Sequence, residues 1–310
     1  MDMSPHASGF VNANGTRLHY LDWGGNGPVL LFIAGWGCTA HIFEGFAPRF
    51  TDRFHVMAVT RRGHGESDYP ETGYDPDSLA VDLRQFLDAL HIDKVILAGH
   101  SLAYIELSRF AILHPDRVIK LVWIDAAYDR TDPEYQALMA RNPMSKMMPP
   151  WPSEPLDSIE EQIATIKRLY PSLAAIWGPE VEADLMANVT INAEGKVIEK
   201  ATDAINAAIS ATINTYKADY AGIRVPMLSI FVLIDGTDFL SYELMTGEQR
   251  AQVLDYFKKE RVPYKRKYIE HFRTSVPEAR VFVIPNGNHY CFLKQADLVF
   301  NEMRSFLLEG

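Results

Sequence analysis

The chain has 310 residues, 47% of them apolar and 11% aromatic, with a formal net charge of −10. That composition supports one large core, and the acidic balance excludes the basic patches that nucleic acid or an anionic membrane surface requires. Two cysteines cannot build a disulfide framework, no apolar run approaches a membrane span, and the amino terminus, Met1-Asp2-Met3-Ser4-Pro5-His6, lacks a signal-peptide pattern.

In chain order, Asn14-Gly15 between segments 10–12 and 17–21 predicts a hairpin. The apolar runs at 29–33, 56–59, 94–99 and 118–124 read as buried parallel strands. A helix is expected over about 76–90, where Leu79, Leu83, Phe86, Leu87 and Leu90 form a stripe. Past Asp125 the pattern becomes helical and proline-punctuated, with helices near 158–170 and 201–216 bracketing a hairpin at 189–198. Sheet rhythm resumes at 225–234, followed by a long helix from 247 to 274, a strand at 280–284 and a last helix ending near Leu308. Strands alternating with helices predict a mostly parallel α/β sheet covered on both faces. The basic runs Lys258-Lys259 and Lys265-Arg266-Lys267 are expected on solvated helix faces.

The densest chemical signal is Gly99-His100-Ser101-Leu102-Ala103-Tyr104, where an apolar strand leads into a serine and a helical pattern leads away from it. Serine at such an apex has its hydroxyl lifted above the sheet edge, with the first helical N–H groups aimed at whatever it attacks. A hydroxyl is a poor nucleophile at neutral pH, so a base must take its proton. Histidine suits that role, and a carboxylate behind it fixes the tautomer. Of the ten histidines, His289 follows the last predicted strand in a Gly/Asn loop, whereas His64, His100, His114 and His271 sit in turns or helices.

These features resemble the α/β-hydrolases, over nearly the whole chain. Ile33-Ala34-Gly35-Trp36-Gly37 stands where that family usually reads H-G-x-G, and Arg61-Arg62-Gly63-His64-Gly65-Glu66-Ser67 resembles its R-G-x-G-x-S turn. Pro285-Asn286-Gly287-Asn288-His289-Tyr290 falls where its catalytic histidine is found. The resemblance implies an eight-stranded, mostly parallel sheet with helices on both faces and a mainly helical cap. The core would comprise 1–125 and 221–310, and the cap 126–220. It assigns Ser101 as nucleophile, His289 as base, and the backbone N–H groups of Trp36 and Leu102 as the oxyanion hole. Three aspartates compete for the acid. Asp125 ends the strand beside the serine strand, a position some haloalkane dehalogenases use, and is placed first. Asp235, nine residues after Pro226, comes next, and Asp238 follows on the same loop.

Two departures from the family pattern stand out. Ala34 replaces the histidine that usually braces the oxyanion loop. Tyr104 occupies a site where glycine is common, and either packs or reaches substrate. Met144, Met147, Met148, Trp151 and Trp177 are the residue types that line apolar pockets, or else form the core of the cap.

The expected function is a serine hydrolase of small carboxylic esters with an apolar acyl or aryl part, working through an acyl-enzyme. Serine at the elbow argues against the aspartate-nucleophile dehalogenases and epoxide hydrolases. Lactonase, amidase and C–C bond hydrolase stay open on the same triad, as do a cofactor-free lyase or cyclase and a ligand-binding protein. No zinc-ligand spacing, Walker loop or dinucleotide fingerprint is present, so neither metal nor cofactor is expected. The protein is expected to be cytoplasmic, without nucleic-acid or membrane partners, and a homodimer is compatible with the sequence.

Overall fold

The computed structural model describes residues 6–147, 150–152, 154–237 and 245–309. Strands β1 (Ala7–Ala13) and β2 (Thr16–Gly24) form the antiparallel hairpin, with Asn14 and Gly15 both at positive φ as a tight two-residue turn requires. Then come β3 (Val29–Ile33), β4 (His55–Val59), helix α1 (Pro76–Ala89), β5 (Val95–His100), α2 (Tyr104–Leu113) and β6 (Val118–Ile124). Between β6 and the next sheet strand lie α3 (Pro133–Ala140), α4 (Ile159–Leu169), α5 (Pro171–Ala174), α6 (Pro179–Asn188), the hairpin β7 (Val189–Ile191) and β8 (Val197–Glu199), and α7 (Asp203–Thr215). The chain ends with β9 (Met227–Leu233), α8 (Gly247–Tyr256), α9 (Val262–Ser275), β10 (Ala279–Pro285), α10 (Cys291–Lys294) and α11 (Ala296–Leu308).

The main sheet has eight strands in the order β1-β2-β4-β3-β5-β6-β9-β10. The β1/β2 and β2/β4 pairs are antiparallel and every other neighbouring pair is parallel. All residues of β5 and β9 are buried, which explains their largely apolar character. One face packs α1 and α2 through Leu83, Phe86, Leu107 and Phe110, joined by Ile205, Ile209 and Ile213 of α7. The opposite face is a phenylalanine cluster of Phe32, Phe43, Phe46, Phe50 and Phe292, closed by Val299 and Met303 of α11. Removing one such ring from water is worth roughly 1.5–3 kcal/mol, so both layers hold the sheet firmly. Asp75 starts α1 by accepting the Ser78 N–H, with Pro76 in the first turn.

The predicted long helix is α8 and α9 joined by a π-helical turn, Phe257–Arg261. Pro263 has no N–H to continue the regular ladder, which accounts for widening there. Met144 is buried with Leu138, Val253, Tyr256 and Phe257, and Met147 packs against that cluster. Both methionines are therefore core residues and not a pocket wall. Met148 and Asp238 lie outside the described residues. Cys38 and Cys291 are free, buried thiols. Among the described residues, no helix is long and apolar enough to cross a membrane.

Candidate active site

Strand β5 delivers Ser101 on a sharp turn. Its φ is +51°, a left-handed conformation that costs a side-chain-bearing residue on the order of 1–2 kcal/mol. The turn is tight because glycine precedes it: a Cβ on Gly99 would lie 2.8 Å from the Cβ of Ala103 and 2.8 Å from Leu107. A 3-10 turn, Ser101–Ala103, leads into α2. The Leu102 N–H belongs to that first turn and has no acceptor inside the helix.

The loop after β3 comes equally close, since a Cβ on Gly35 would stand 3.0 Å from the Ser101 Cβ. Arg61 holds this loop. Its Nη1 donates to the Gly35 carbonyl at 2.8 Å and its Nη2 to the Ala34 carbonyl at 2.5 Å, while Nε binds Glu106 at 2.5 Å. The Gly35 carbonyl and the Trp36 N–H share one planar trans peptide, so gripping the oxygen turns the N–H the other way. The buried guanidinium thus does the bracing that Ala34 cannot.

His289 and Asp125 meet at the ends of β10 and β6. The His289 Nδ1 donates to Asp125 Oδ2 at 2.8 Å, which leaves Nε2 with its lone pair. Asp125 is buried and also sits at positive φ, +43°. Its Oδ1 accepts from the Val232 N–H at 3.2 Å and from Lys265 Nζ at 3.3 Å. Burial raises the carboxyl pKa, but the Lys265 charge, the His289 bond and the Tyr128 hydroxyl outweigh it and hold Asp125 well below the usual carboxylate range. His100 ties the base to the nucleophile turn, because its Nε2 donates to the His289 carbonyl at 3.0 Å and the two rings lie 4.5 Å apart. Burial keeps His100 neutral. Among the described residues no hydrogen bond joins Ser101 to His289, and resting catalytic bonds are often longer than those in the substrate complex.

The structure thus brings Ser101, His289, Asp125, Trp36 and Leu102 to one end of the parallel strands. It separates the other named residues from them. Asp235 accepts the Thr237 N–H at 2.9 Å and the Thr237 hydroxyl at 2.6 Å, so its carboxylate closes its own turn and is spent there. Tyr104 is buried and donates to the Ile213 carbonyl at 3.2 Å beside Tyr216. Its phenol joins α2 to α7, where glycine would leave a gap. Trp151 stands beside Tyr170 with ring centroids 6.4 Å apart.

Lys265 is the residue that sequence reasoning misplaced. Its neighbours Lys258, Lys259, Arg266 and Lys267 are exposed, but the Lys265 side chain is only 13% exposed and its Nζ lies 4.2 Å from the Tyr128 ring centroid. The signal was present: Ile269 and Phe272, at i+4 and i+7, are both buried and share its helix face. Removing one partner of a buried ion pair costs about 3–5 kcal/mol. Lys265→Met is therefore expected to lower urea-unfolding stability by about 3 kcal/mol. A loss below about 1 kcal/mol would mean that Asp125 is compensated without Lys265.

A cavity of about 340 Å³ opens beside Trp36 and Tyr290, and its other walls come from α4, α6 and the start of α7. Trp177, Ile166, Leu173 and Val181 supply apolar surface, and Asp184, Glu199 and His64 supply polar groups. Asp184 is buried and accepts the Thr39 N–H at 2.5 Å and its hydroxyl at 2.8 Å, but burial still pushes its carboxyl up to about 7. Burial, helped by Arg61, takes His64 down to about 3, so it is neutral. Among the described residues lining this cavity there is no lysine or arginine.

Residues 30–302 match the model of a family described as the alpha/beta hydrolase family. The chain is similar to 2-(acetamidomethylene)succinate hydrolase of Mesorhizobium japonicum, at 41% identity over 101 residues, 33% of this chain and 36% of that protein. It is also similar to N-formylmaleamate deformylase of Pseudomonas putida, at 37% identity over 107 residues, 34% of this chain and 38% of that protein. The chain thus spans well under half the length of these curated relatives. A crystal structure of E-2-(acetamidomethylene)succinate hydrolase superposes with a TM-score of 0.72 at 23% identity, covering 97% of this chain and 99% of that one, which is a likeness of fold.

Proposed function

The chain belongs to the alpha/beta hydrolase family, and on that premise we propose that it is a serine hydrolase of small, uncharged carboxylic esters with an apolar acyl or aryl part. The observation that carries the reading is the buried Asp125–His289 pair beside a serine held in a left-handed turn. In the proposed reaction Ser101 Oγ attacks the substrate carbonyl carbon and passes its proton to His289 Nε2. The carbonyl oxygen becomes an oxyanion facing the Trp36 and Leu102 N–H groups, contacts of a kind worth roughly 3–4 kcal/mol in barrier. Asp125 stabilises the imidazolium. His289 then protonates the departing alkoxide, leaving an acyl-serine. Water attacks the acyl carbon, giving its proton to His289, which returns it to Ser101 as the acid leaves. Segment 126–220 acts as the cap and, through the cavity of α4, α6 and α7, sets substrate shape.

The names of the two curated relatives favour a second reading, cleavage of an amide by the same steps. Their named substrates contain carboxylates. Among the described residues the cavity lining offers no lysine or arginine to pair with a charged acid, which supports a neutral substrate instead.

The test is a set of matched substrates on the purified protein: p-nitrophenyl butyrate, mono-p-nitrophenyl succinate and butyryl p-nitroanilide. A buried carboxylate left without a partner costs roughly 1–3 kcal/mol or more, so the neutral ester should exceed the succinate ester at least tenfold in kcat/KM. Preference for the succinate ester would overturn the assignment of a neutral substrate. Anilide turnover equal to ester turnover would favour the amidase.

A further inference from the structure

Three histidines that the reaction does not use converge with two glutamates near β2, three strands away from β5 in the sheet order and so roughly 14 Å from it. We propose that His19, His41 and Glu66, with water as the remaining ligand, bind a zinc ion in a site separate from Ser101. One ligand atom from each of His19, His41 and Glu66 lies within 4.8 Å of the others. Glu66 Oε1 is 3.3 Å from His41 Nε2, and Glu66 Oε2 is 3.4 Å from His19 Nδ1. A tetrahedral zinc with bonds of about 2.0–2.1 Å holds its ligand atoms about 3.3–3.5 Å apart. Each imidazole stands at that spacing from one Glu66 oxygen, and the three groups lie within 4.8 Å of one another.

The opposite nitrogen of each ring is occupied. His41 Nδ1 meets Glu44 Oε1 at 2.5 Å, and His19 Nε2 meets the Ser8 hydroxyl at 2.9 Å. Partners of this kind fix the tautomer and orientation of metal-binding histidines, and a carboxylate is a frequent one. His6 borders the cluster on the Glu44 side. Its side chain is 2% exposed, its ring lies 6.4 Å from that of His41, and neither ring nitrogen has a hydrogen-bond partner. Its Nε2 stands 3.5 Å from Glu44 Oε1. The Thr60 hydroxyl, 3.3 Å from His19 Nδ1, also accepts the Ala40 N–H at 3.0 Å and keeps that bond when the metal takes the imidazole.

The donor set of imidazoles and one carboxylate, with no thiolate, suits zinc and its first-row neighbours, whereas calcium and magnesium take oxygen alone. The ligands come from β2, the 3-10 turn Ala40–Phe43 and the turn after β4. That scatter is why no zinc spacing appears along the sequence. Zinc there would tie these segments together and steady the loop that carries Trp36.

The experiment is equilibrium dialysis of the full chain against micromolar zinc, with metal counted by mass spectrometry and melting followed with and without chelator. The expected result is about one zinc per chain, a melting temperature lowered by chelator, and binding weakened at least 100-fold in His41→Gln and in Glu66→Gln. Glu44→Gln, which removes only the outer partner, should weaken binding by about 10- to 100-fold. A wild-type chain holding below about 0.1 zinc would overturn the site, because any folded tetrahedral site of this kind fills at micromolar metal. Equal zinc in the wild type and in both ligand variants would place the metal elsewhere and overturn it as well.

Discussion

Alanine in place of Ser101 is expected to lower kcat for a neutral p-nitrophenyl ester by roughly 10⁶-fold, the scale seen when a triad serine is removed. The reason is that the nucleophile is the sole atom able to carry the acyl group. What remains is oxyanion stabilisation and substrate binding, which alone give about 10³–10⁴-fold over water. The fold should be untouched. Alanine is no worse than serine at φ +51°, and among the described residues the hydroxyl holds no structural hydrogen bond that would be lost. Kinetics and a thermal melt on the same preparation check both halves. Retention of more than about 1% of wild-type kcat would remove Ser101 from the reaction.

The second large effect concerns the acid. Asp125→Asn should lower kcat by about 10⁴-fold, because the amide both stops stabilising the imidazolium and permits the wrong tautomer. The same change leaves Lys265 without its buried counter-charge, so a stability loss of about 3 kcal/mol should accompany it. Rates must therefore be expressed per folded molecule, from active protein counted by circular dichroism. Asp235→Asn is the internal control. Among the described residues its carboxylate bonds only Thr237, and kcat should stay within about twofold, as for a surface change away from the site. A large loss at Asp235 with activity retained at Asp125 would reverse the assignment.

Much of this was legible along the chain because apolar runs and turn residues act locally. The strands β3, β5 and β9 are largely apolar because both their faces are buried, and β6 is so from Leu121 onward. Ser101 and His289 were legible because each follows a strand in a distinctive turn. The choice between Asp125 and Asp235 was not, since it depends on where a carboxylate points after a strand ends. Asp125 turns back at positive φ beneath His289, whereas Asp235 is captured by its own loop. Lys265 was hidden for a related reason. It sits 140 residues from Asp125, inside a basic run whose other members are solvated, and only its helix face distinguishes it. Tyr104 looked chemical because a phenol beside a nucleophile invites that reading, yet its hydroxyl is already committed to Ile213. Arg61 was part of a recognised turn, but its grip on the Gly35 and Ala34 carbonyls needed three dimensions to appear.

Brief exposure to a fluorophosphonate, followed by peptide mass spectrometry, measures directly whether the hydroxyl at the β5 turn is activated by the imidazole across from it. The account predicts one phosphonyl group per chain, carried by Ser101, and none when His289 is replaced by alanine. An unlabelled Ser101 in folded wild-type protein, or equal labelling without His289, would contradict it.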